Sequence, residues 1–184
     1  MILDLSFERI DEASVLSGFY CGVLSMDVFI HEKLQEYLNQ TDCIAYVIKA
    51  GSEIVAMLCL GSDTLTLDDD DKDEMKSGII PKPDAALKTQ QFFAEMEFPA
   101  IEITYLAVDR KWRGQGIGEY IISQVEKKVL RDNPECEFLT VEAYKTNNYS
   151  AVGFYLKCNF TPAEPPFGYK DTQRMYKVLR PKTD

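Results

Sequence analysis

The stretch that decides the fold runs from Ile101 to Gly118 and has the sequence IEITYLAVDRKWRGQGIG. Its first eight residues are typical of a strand, and the loop that follows carries glycine at 114, 116 and 118. An amphipathic run comes next, with apolar residues at helical spacing on one face: Ile117, Tyr120, Ile121, Val125 and Val129. A helix that begins at such a loop turns its free amides and the positive end of its dipole toward the loop. The stretch therefore predicts an anion site, and a phosphate suits it best.

The glycine spacing excludes two common phosphate loops. A P-loop ends in Gly-Lys-Ser or Gly-Lys-Thr, and neither follows Gly118. A dinucleotide-binding loop has the spacing Gly-x-Gly-x-x-Gly, whereas these three glycines are two residues apart. A plain strand-turn-helix, with glycines for tight packing only, stays open as the simpler alternative.

Two blocks carry a family resemblance. The pattern Arg-x-x-Gly-x-Gly, from Arg113 to Gly118, resembles the acetyl-CoA pyrophosphate loop of the GNAT (Gcn5-related) N-acetyltransferase family. Residues 148–160 resemble the closing helix of that family, usually Asn-x-x-Ala-x-x-Phe/Leu-Tyr-x-x-x-Gly-Phe, through Asn148, Ala151, Phe154, Tyr155 and Phe160. Asn159 stands where the family has glycine, and we expect it to keep the positive φ of that position.

The resemblance implies the α/β (α+β) fold of GNAT acyl-CoA N-acyltransferases, a mixed central sheet flanked by helices. The expected order is β-α-α-β-β-β-α-β-α-β in one domain spanning 1–184, with residues 62–100 as an acidic and helical insertion before the fourth strand. Within the insertion we expect a solvated acidic loop at 68–74 and a helix near Asp84–Glu97. A proline-rich loop is expected at 162–171.

Capping and alternation predict the remaining early elements. Residues 2–9 are expected to form the first strand. Asp11 is expected to cap a short helix ending near Tyr20, and Ser25 a second helix over 26–37. Residues 44–49 and 54–60 predict an antiparallel hairpin over the turn at Gly51.

The resemblance also implies a division of roles within the site. The loop amides would hold the pyrophosphate, Leu106 and Val108 would hydrogen-bond the pantetheine arm, and the Val108 amide would stabilise the oxyanion. The expected cofactor-binding residues are Leu106, Ala107, Val108, Arg113, Gly114, Gln115, Gly116, Ile117, Gly118, Asn148 and Tyr155.

Two residues are the candidates for proton transfer. Tyr155 would protonate the departing thiolate, since phenol and thiol have similar ordinary pKa values; the alternative is a core aromatic residue. Glu102 lies four residues before Leu106, in the register of the glutamate base of histone-type GNAT enzymes, and the alternative is a surface glutamate. Family members that receive a neutral amine need no base.

Composition limits the acceptor and the partners. The net charge is −10, which disfavours broad nucleic-acid binding and favours a cationic small-molecule or protein amine. The segment 19–30 nevertheless resembles acetyltransferases of toxin–antitoxin pairs, which acetylate aminoacyl-tRNA, so a tRNA acceptor stays open. A non-catalytic CoA-binding regulatory module is the competing class.

The remaining features predict a cytoplasmic protein. The five cysteines are scattered without a CxxC pair, so no disulfide framework is expected. The single histidine, His31, has no clustered partners for a metal site and is expected to be a half-buried packing residue on a helix. No apolar run is long enough for a membrane span, and the first residues do not form a signal peptide. Homodimers are common in the family, and one is allowed for here.

Overall fold

The computed structural model describes residues 4–83, 90–163 and 171–180. The strands in this part of the chain are β1 (Leu5–Ile10), β2 (Ile44–Ala50), β3 (Glu53–Thr66), β4 (Glu97–Val108), β5 (Phe138–Tyr144), β6 (Thr161–Pro162) and β7 (Thr172–Val178). The α-helices are α1 (Leu24–Val28), α2 (Leu34–Gln40), α3 (Asp69–Ser77), α4 (Gln90–Ala94), α5 (Ile117–Asp132) and α6 (Val152–Lys157).

The strands form one mixed sheet in the order β1-β2-β3-β4-β5-β7-β6. β1 and β3 both pair antiparallel with β2, and β7 pairs antiparallel with β5 and β6. β4 and β5 are parallel, which requires a crossover, and α5 supplies it. The predicted fold class, the central hairpin and the strand-loop-helix are confirmed.

The chain divides into two compact units. The first comprises residues 1–61 and 103–123, and its buried core includes Ile30, Leu34, Val47 and Met57. The second comprises residues 62–102 and 124–184. Its core is rich in aromatic side chains, including Phe92, Phe98, Phe138 and Tyr176. The single domain expected over 1–184 stays a prediction.

The acidic run at 68–74 forms a helix, so the predicted solvated loop is wrong. Asp68 precedes α3, and its carboxylate accepts a hydrogen bond from the Asp71 amide at 2.8 Å. The Asp71 carboxylate accepts one from the Asp68 amide in return, which completes a capping box. Carboxylates in the first turn are also favoured by the helix dipole. Lys72 and Met75 are buried, and Met75 packs in the core of the second unit.

Three other boundaries differ from those expected. Asp11 caps no helix, because the structure has only a short 3₁₀ turn, Ala13–Leu16, whose first amide donates to the Gln35 side chain at 2.8 Å. Ser25 lies inside α1, which begins at Leu24. A π-helical segment, Phe29–Lys33, joins α1 to α2.

Within the described residues, the helix expected near Asp84–Glu97 is represented by α4, and its end differs from the prediction because β4 begins at Glu97. Residues 84–89 lie outside the described residues. Residues 164–170 of the expected proline-rich loop lie outside them too. Pro162, assigned to that loop, is in β6, which is an error of the sequence prediction.

Candidate active site

The start of the glycine loop is fixed by Asp109, which follows the end of β4 and is only 7% exposed. Its carboxylate accepts hydrogen bonds from the amides of Lys111 at 2.9 Å and Tyr20 at 3.5 Å. Its own amide donates to the carbonyl of Val55 at 2.9 Å, and the Arg110 amide donates to that of Tyr20 at 3.0 Å. These bonds set the direction in which the chain leaves the sheet.

Two glycines give the loop its shape. Gly114 has φ of 73° and Gly116 has φ of 78°, values that residues with a side chain rarely adopt. A Cβ at either position would meet no atom within 4 Å among the described residues. The glycines are therefore required by the backbone conformation and not by crowding, which weighs against the simpler alternative of tight packing.

The helix after the loop is long enough for its dipole to matter. α5 has 16 residues and begins at Ile117, which is buried, while Arg113 and Gln115 are exposed. The amides in its first turn have no carbonyl one turn earlier to bond. This arrangement of exposed loop, left-handed glycines and free helix amides fits a pyrophosphate group such as that of acetyl-CoA.

The apolar face of α5 is largely as predicted. Ile117, Ile121, Val125 and Val129 are all buried. Tyr120, assigned to the same face, is 39% exposed, and Ile122 takes a buried position that was not assigned.

The residues expected to contact the pantetheine arm lie at the end of β4. Leu106 and Val108 are half-buried, and Ala107 between them is 5% exposed. Successive strand residues point to opposite faces, so Leu106 and Val108 share one face and Ala107 faces the core of the first unit.

The segment that resembles toxin-type enzymes is held together by Asp27. Its two carboxylate oxygens accept hydrogen bonds from the amides of Cys21 at 2.7 Å and Gly22 at 3.0 Å. Burial raises the pKa of the Cys21 thiol to about 11, so this cysteine stays protonated at neutral pH. Its place in the segment is structural.

In the second unit, Glu102 lies on β4 with a side chain that is 22% exposed. Burial first, and then the charges of the Asp63 and Glu142 carboxylates, raise the pKa of its carboxyl to about 7, while the Arg174 guanidinium acts in the opposite direction. Glu102 is thus a partly buried carboxyl that ionises near neutral pH, not a surface glutamate. That behaviour is what a general base requires.

The group around Glu102 was missed by the sequence analysis. Arg174 on β7 is buried and lies within 4 Å of the carboxylates of Asp63, Glu102 and Glu142. Thr140 donates a short hydrogen bond to Asp63. The signal in the sequence was Arg174 itself, an arginine within a predicted strand. A charged side chain that is buried in a sheet needs charged or hydrogen-bonding partners nearby.

Tyr155 lies in α6 and is 5% exposed, with its ring against those of Phe154 and Phe160 at centroid distances of 5.0 and 5.2 Å. Burial raises the pKa of its phenol well above the ordinary value. The hydroxyl therefore keeps its proton at neutral pH, as a general acid must. The packing equally satisfies the alternative of a core aromatic, so its role stays a prediction.

The two asparagines expected to match the family pattern in residues 148–160 lie in different kinds of local structure. Asn148 is exposed, in the turn that Thr146 and Tyr149 close through a backbone hydrogen bond of 2.8 Å. Asn159 follows α6 with φ of 63°, which confirms the conformation expected where the family has glycine. The amide of Phe160 donates to the carbonyl of Tyr155 at 3.0 Å, which closes the helix end.

His31 is exposed and not half-buried as expected. Its Nε2 lies 2.8 Å from the Phe19 carbonyl, and its ring lies 4.6 Å from that of Tyr20. Among the described residues, no group of three or more His, Cys, Asp or Glu could hold a metal ion. No helix in the described part of the chain is long and apolar enough to cross a membrane.

The fold and the loop define an acyl-CoA-dependent transferase, and comparison with known families agrees. The model of the acetyltransferase (GNAT) family matches residues 16–160, most of the chain. The chain belongs to this family and is an acetyltransferase that uses acetyl-CoA. A comparison with curated proteins found no match.

Solved structures with the same fold include toxin acetyltransferases. A tyrosine-to-phenylalanine variant of KacT has a TM-score of 0.67 and 18% identity, over 95% of each chain. AtaT complexed with acetyl-methionyl-tRNAfMet has a TM-score of 0.66 and 19% identity, also over 95% of each chain. A tyrosine-to-phenylalanine variant of AtaT, bound to the C-terminus of the antitoxin AtaR and acetyl-CoA, has a TM-score of 0.65 and 18% identity, over 96% of this chain and 94% of that one. At these identities the likeness shows the fold.

Proposed function

We propose that the protein transfers the acetyl group of acetyl-CoA to a primary amine by direct attack of the amine on the thioester. The observation that carries the proposal is the motif Arg113–Gly118 in a chain of the GNAT family, where residues 113–116 form an exposed loop with two left-handed glycines ahead of α5. The loop amides would bind the pyrophosphate, and Arg113 would add a positive charge at its rim.

The end of β4 would bind the rest of the donor. Leu106 and Val108 would pair with the pantetheine arm as an added strand, and the Val108 amide would donate to the oxygen that becomes negative as the amine attacks. Ala107, Gln115, Ile117 and Gly118 would shape this part of the site, and Asn148 would contact the donor or order its own turn.

Two side chains of the second unit would move the protons. Glu102 would accept the proton of the attacking amine, directly or through a water, since its pKa of about 7 lets it exist as a carboxylate at neutral pH. Tyr155 would donate the proton that the departing thiolate takes up. Loss of a general acid typically slows an enzyme by about 10²- to 10⁴-fold.

The test measures thiol release from acetyl-CoA with four acceptors: spermidine, a peptide with a free N-terminus, a lysine-containing peptide and methionyl-tRNA. We expect Tyr155→Phe to abolish most turnover while CoA binding, measured by calorimetry, is retained. Tyr176→Phe is the matched control, because Tyr176 is also a buried tyrosine of the second unit. CoA binding without turnover of any acceptor above the Tyr155→Phe variant would favour the non-catalytic module.

A second candidate function is acetylation of aminoacyl-tRNA. It is supported by the segment at 19–30 and by the fold shared with AtaT, whose solved complex contains acetyl-methionyl-tRNAfMet. The charge opposes it, because Lys128 and Arg131 at the end of α5 both pair with Asp132, at 2.6 and 2.7 Å, which lowers the basic character of that surface.

Translation arrest on expression, together with acetylated tRNA, would establish the toxin function; normal growth with unmodified tRNA would exclude it. Under this alternative an antitoxin partner is expected, as for AtaT with AtaR. We place the protein in the cytoplasm, which suits its five scattered cysteines, all of them reduced in the structure. The homodimer stays a prediction.

A further inference from the structure

The Arg174 guanidinium reaches three carboxylates at unequal distances. Its Nη2 lies 2.5 Å from Asp63 Oδ2, while its Nη1 lies 3.5 Å from Glu142 Oε1 and 3.8 Å from Glu102 Oε1. The first contact is a charge-assisted hydrogen bond, and the last distance is beyond hydrogen-bond range. The arginine is therefore committed to Asp63, and Glu102 receives only part of its charge.

Asp63 and Arg174 are both held in place by further bonds. Asp63 Oδ2 accepts a hydrogen bond from the hydroxyl of Thr140, which is fully buried. Arg174 also donates from Nη2 to the carbonyl of Thr64 at 3.3 Å. Because these bonds fix its position, the Arg174 guanidinium does not move toward Glu102 when the Glu102 carboxyl ionises. The Arg174–Asp63 pair therefore acts on Glu102 as a fixed set of charges.

We propose that Arg174 and Asp63 are positioning residues for Glu102, which together set the pH range in which its carboxylate accepts a proton from the acceptor amine. The inference rests on the proposed role of Glu102 as the general base. Arg174 favours the carboxylate form, and Asp63 disfavours it both by its own charge and by holding the guanidinium away.

The charge balance around Glu102 explains why both residues matter. Among the described residues, the charged groups that act on it are Asp63 on β3, Glu142 on β5 and Arg174 on β7. Three carboxylates share one guanidinium, and the Thr172 hydroxyl donates to Glu142 at 3.0 Å without adding charge. Removal of the Asp63 charge should therefore lower the pKa of Glu102, and removal of the Arg174 charge should raise it.

The direct test is a ¹³C NMR titration of the Glu102 side-chain carboxyl in the full-length protein, assigned with Glu102→Gln. We expect Asp63→Asn to shift the titration to lower pH by about one unit and Arg174→Gln to shift it to higher pH by about as much. Lys177→Gln is the control, since Lys177 is also on β7 and half-buried but pairs with Glu126 at 2.6 Å. That control should leave the titration unchanged.

A rate measurement distinguishes this inference from the proposed function. The acid limb of kcat, with acetyl-CoA and whichever of the four acceptors turns over, should move with the NMR titration in each variant. If neither Asp63→Asn nor Arg174→Gln moves the NMR titration, the positioning inference is overturned whatever the activity. If the titration moves while kcat and its acid limb survive in Glu102→Gln, the base role fails instead, and the pair has no catalytic part.

Arg174→Gln carries a folding risk, because it leaves three carboxylates without their guanidinium. Asp63→Asn keeps the polar contacts of its site and removes one charge, so it decides the question alone if the arginine variant does not fold. Arg174→Lys provides a rescue: it restores the charge but not the fork of donors, and its titration should fall between wild type and Arg174→Gln.

Discussion

The carboxylate of Asp27 accepts a hydrogen bond from the backbone amide of Cys21 at 2.7 Å, and its second oxygen accepts one from the amide of Gly22 at 3.0 Å. One side chain thus fixes the chain just before α1. We expect Asp27→Ala to lower the free energy of unfolding by about 1–2 kcal/mol, because two backbone donors lose their partner. Urea denaturation measures the loss.

Asp27→Asn is the conservative comparison, since its one remaining oxygen can still accept a single amide. Its loss should be smaller than that of Asp27→Ala. Asp11→Ala, at an exposed aspartate that caps no helix, should change stability by less than about 0.5 kcal/mol. Equal losses for the alanine and asparagine variants would show that these hydrogen bonds contribute little.

A side chain at Gly116 should damage the donor loop through its backbone. With φ of 78°, alanine costs about 1–2 kcal/mol of conformational strain, although its Cβ would meet no described atom within 4 Å. The loop should relax toward negative φ, and the affinity for CoA, measured by calorimetry, should fall about tenfold or more. Gly153→Ala in α6 is the matched control.

Gly153 also has open space for a Cβ, but its φ is not in the left-handed region and it lies in a helix, where alanine is favoured over glycine. That variant should bind CoA as the wild type does. Unchanged CoA affinity in Gly116→Ala would mean that the loop conformation is not needed for donor binding.

Local patterns were sufficient for the features that depend on a short stretch of chain. The alternation in 44–60, the spacing after Gly118 and the asparagine at 159 each predict a conformation that neighbouring residues enforce. The acidic run at 68–74 was predicted to be a loop because a dense run of charged residues usually lies in a solvent-exposed loop. The reciprocal caps of Asp68 and Asp71, together with the burial of Lys72, make it a helix.

The surroundings of Glu102 could not be derived in the same way. Arg174 is more than seventy residues from Glu102 in sequence, and only the pairing of β5 with β7 brings it beside Glu142. A motif identifies which glutamate to consider, while the pKa depends on burial and on charges that the fold gathers from other strands. The roles of the other site residues rest on the family resemblance.

The capping box of α3 predicts a measurable contribution from Asp68. Asp68→Ala removes the acceptor of the Asp71 amide and should lower the free energy of unfolding by about 0.5–2 kcal/mol. Asp70→Ala keeps the cap and removes only an exposed charge in the first turn, so its loss should be a few tenths of a kcal/mol. Equal effects for the two variants, by urea denaturation, would assign the stabilisation to charge and not to the cap.

Tyr176 should tolerate the loss of its hydroxyl. The side chain is 1% exposed, and among the described residues its Oη has no hydrogen-bond partner. Since a buried hydroxyl without a partner is unfavourable, Tyr176→Phe should leave the free energy of unfolding unchanged or raise it by up to about 1 kcal/mol. If thermal or urea denaturation shows that Tyr176→Phe lowers the free energy of unfolding by more than about 1 kcal/mol, the hydroxyl forms a stabilising hydrogen bond.

The raised pKa of Glu102 predicts how stability changes with pH. The unfolded carboxyl titrates near 4.5 and the folded one near 7, so the folded state holds the proton more tightly. The stabilisation from that proton is complete below pH 4.5 and is lost as the pH rises through 7. Glu102→Gln mimics the protonated form and should remove this loss.

The free energy of unfolding of Glu102→Gln should therefore exceed that of the wild type by more at pH 8 than at pH 4.5, and the increase should be roughly 3 kcal/mol. Taking the difference between the two proteins at each pH cancels the titration of every group that they share. Urea denaturation at several pH values between 4.5 and 8 gives the curve, and the pH above which it levels off reports the folded pKa. A difference that is independent of pH would show that Glu102 titrates at its ordinary value and would remove the basis for its role as a base near neutral pH.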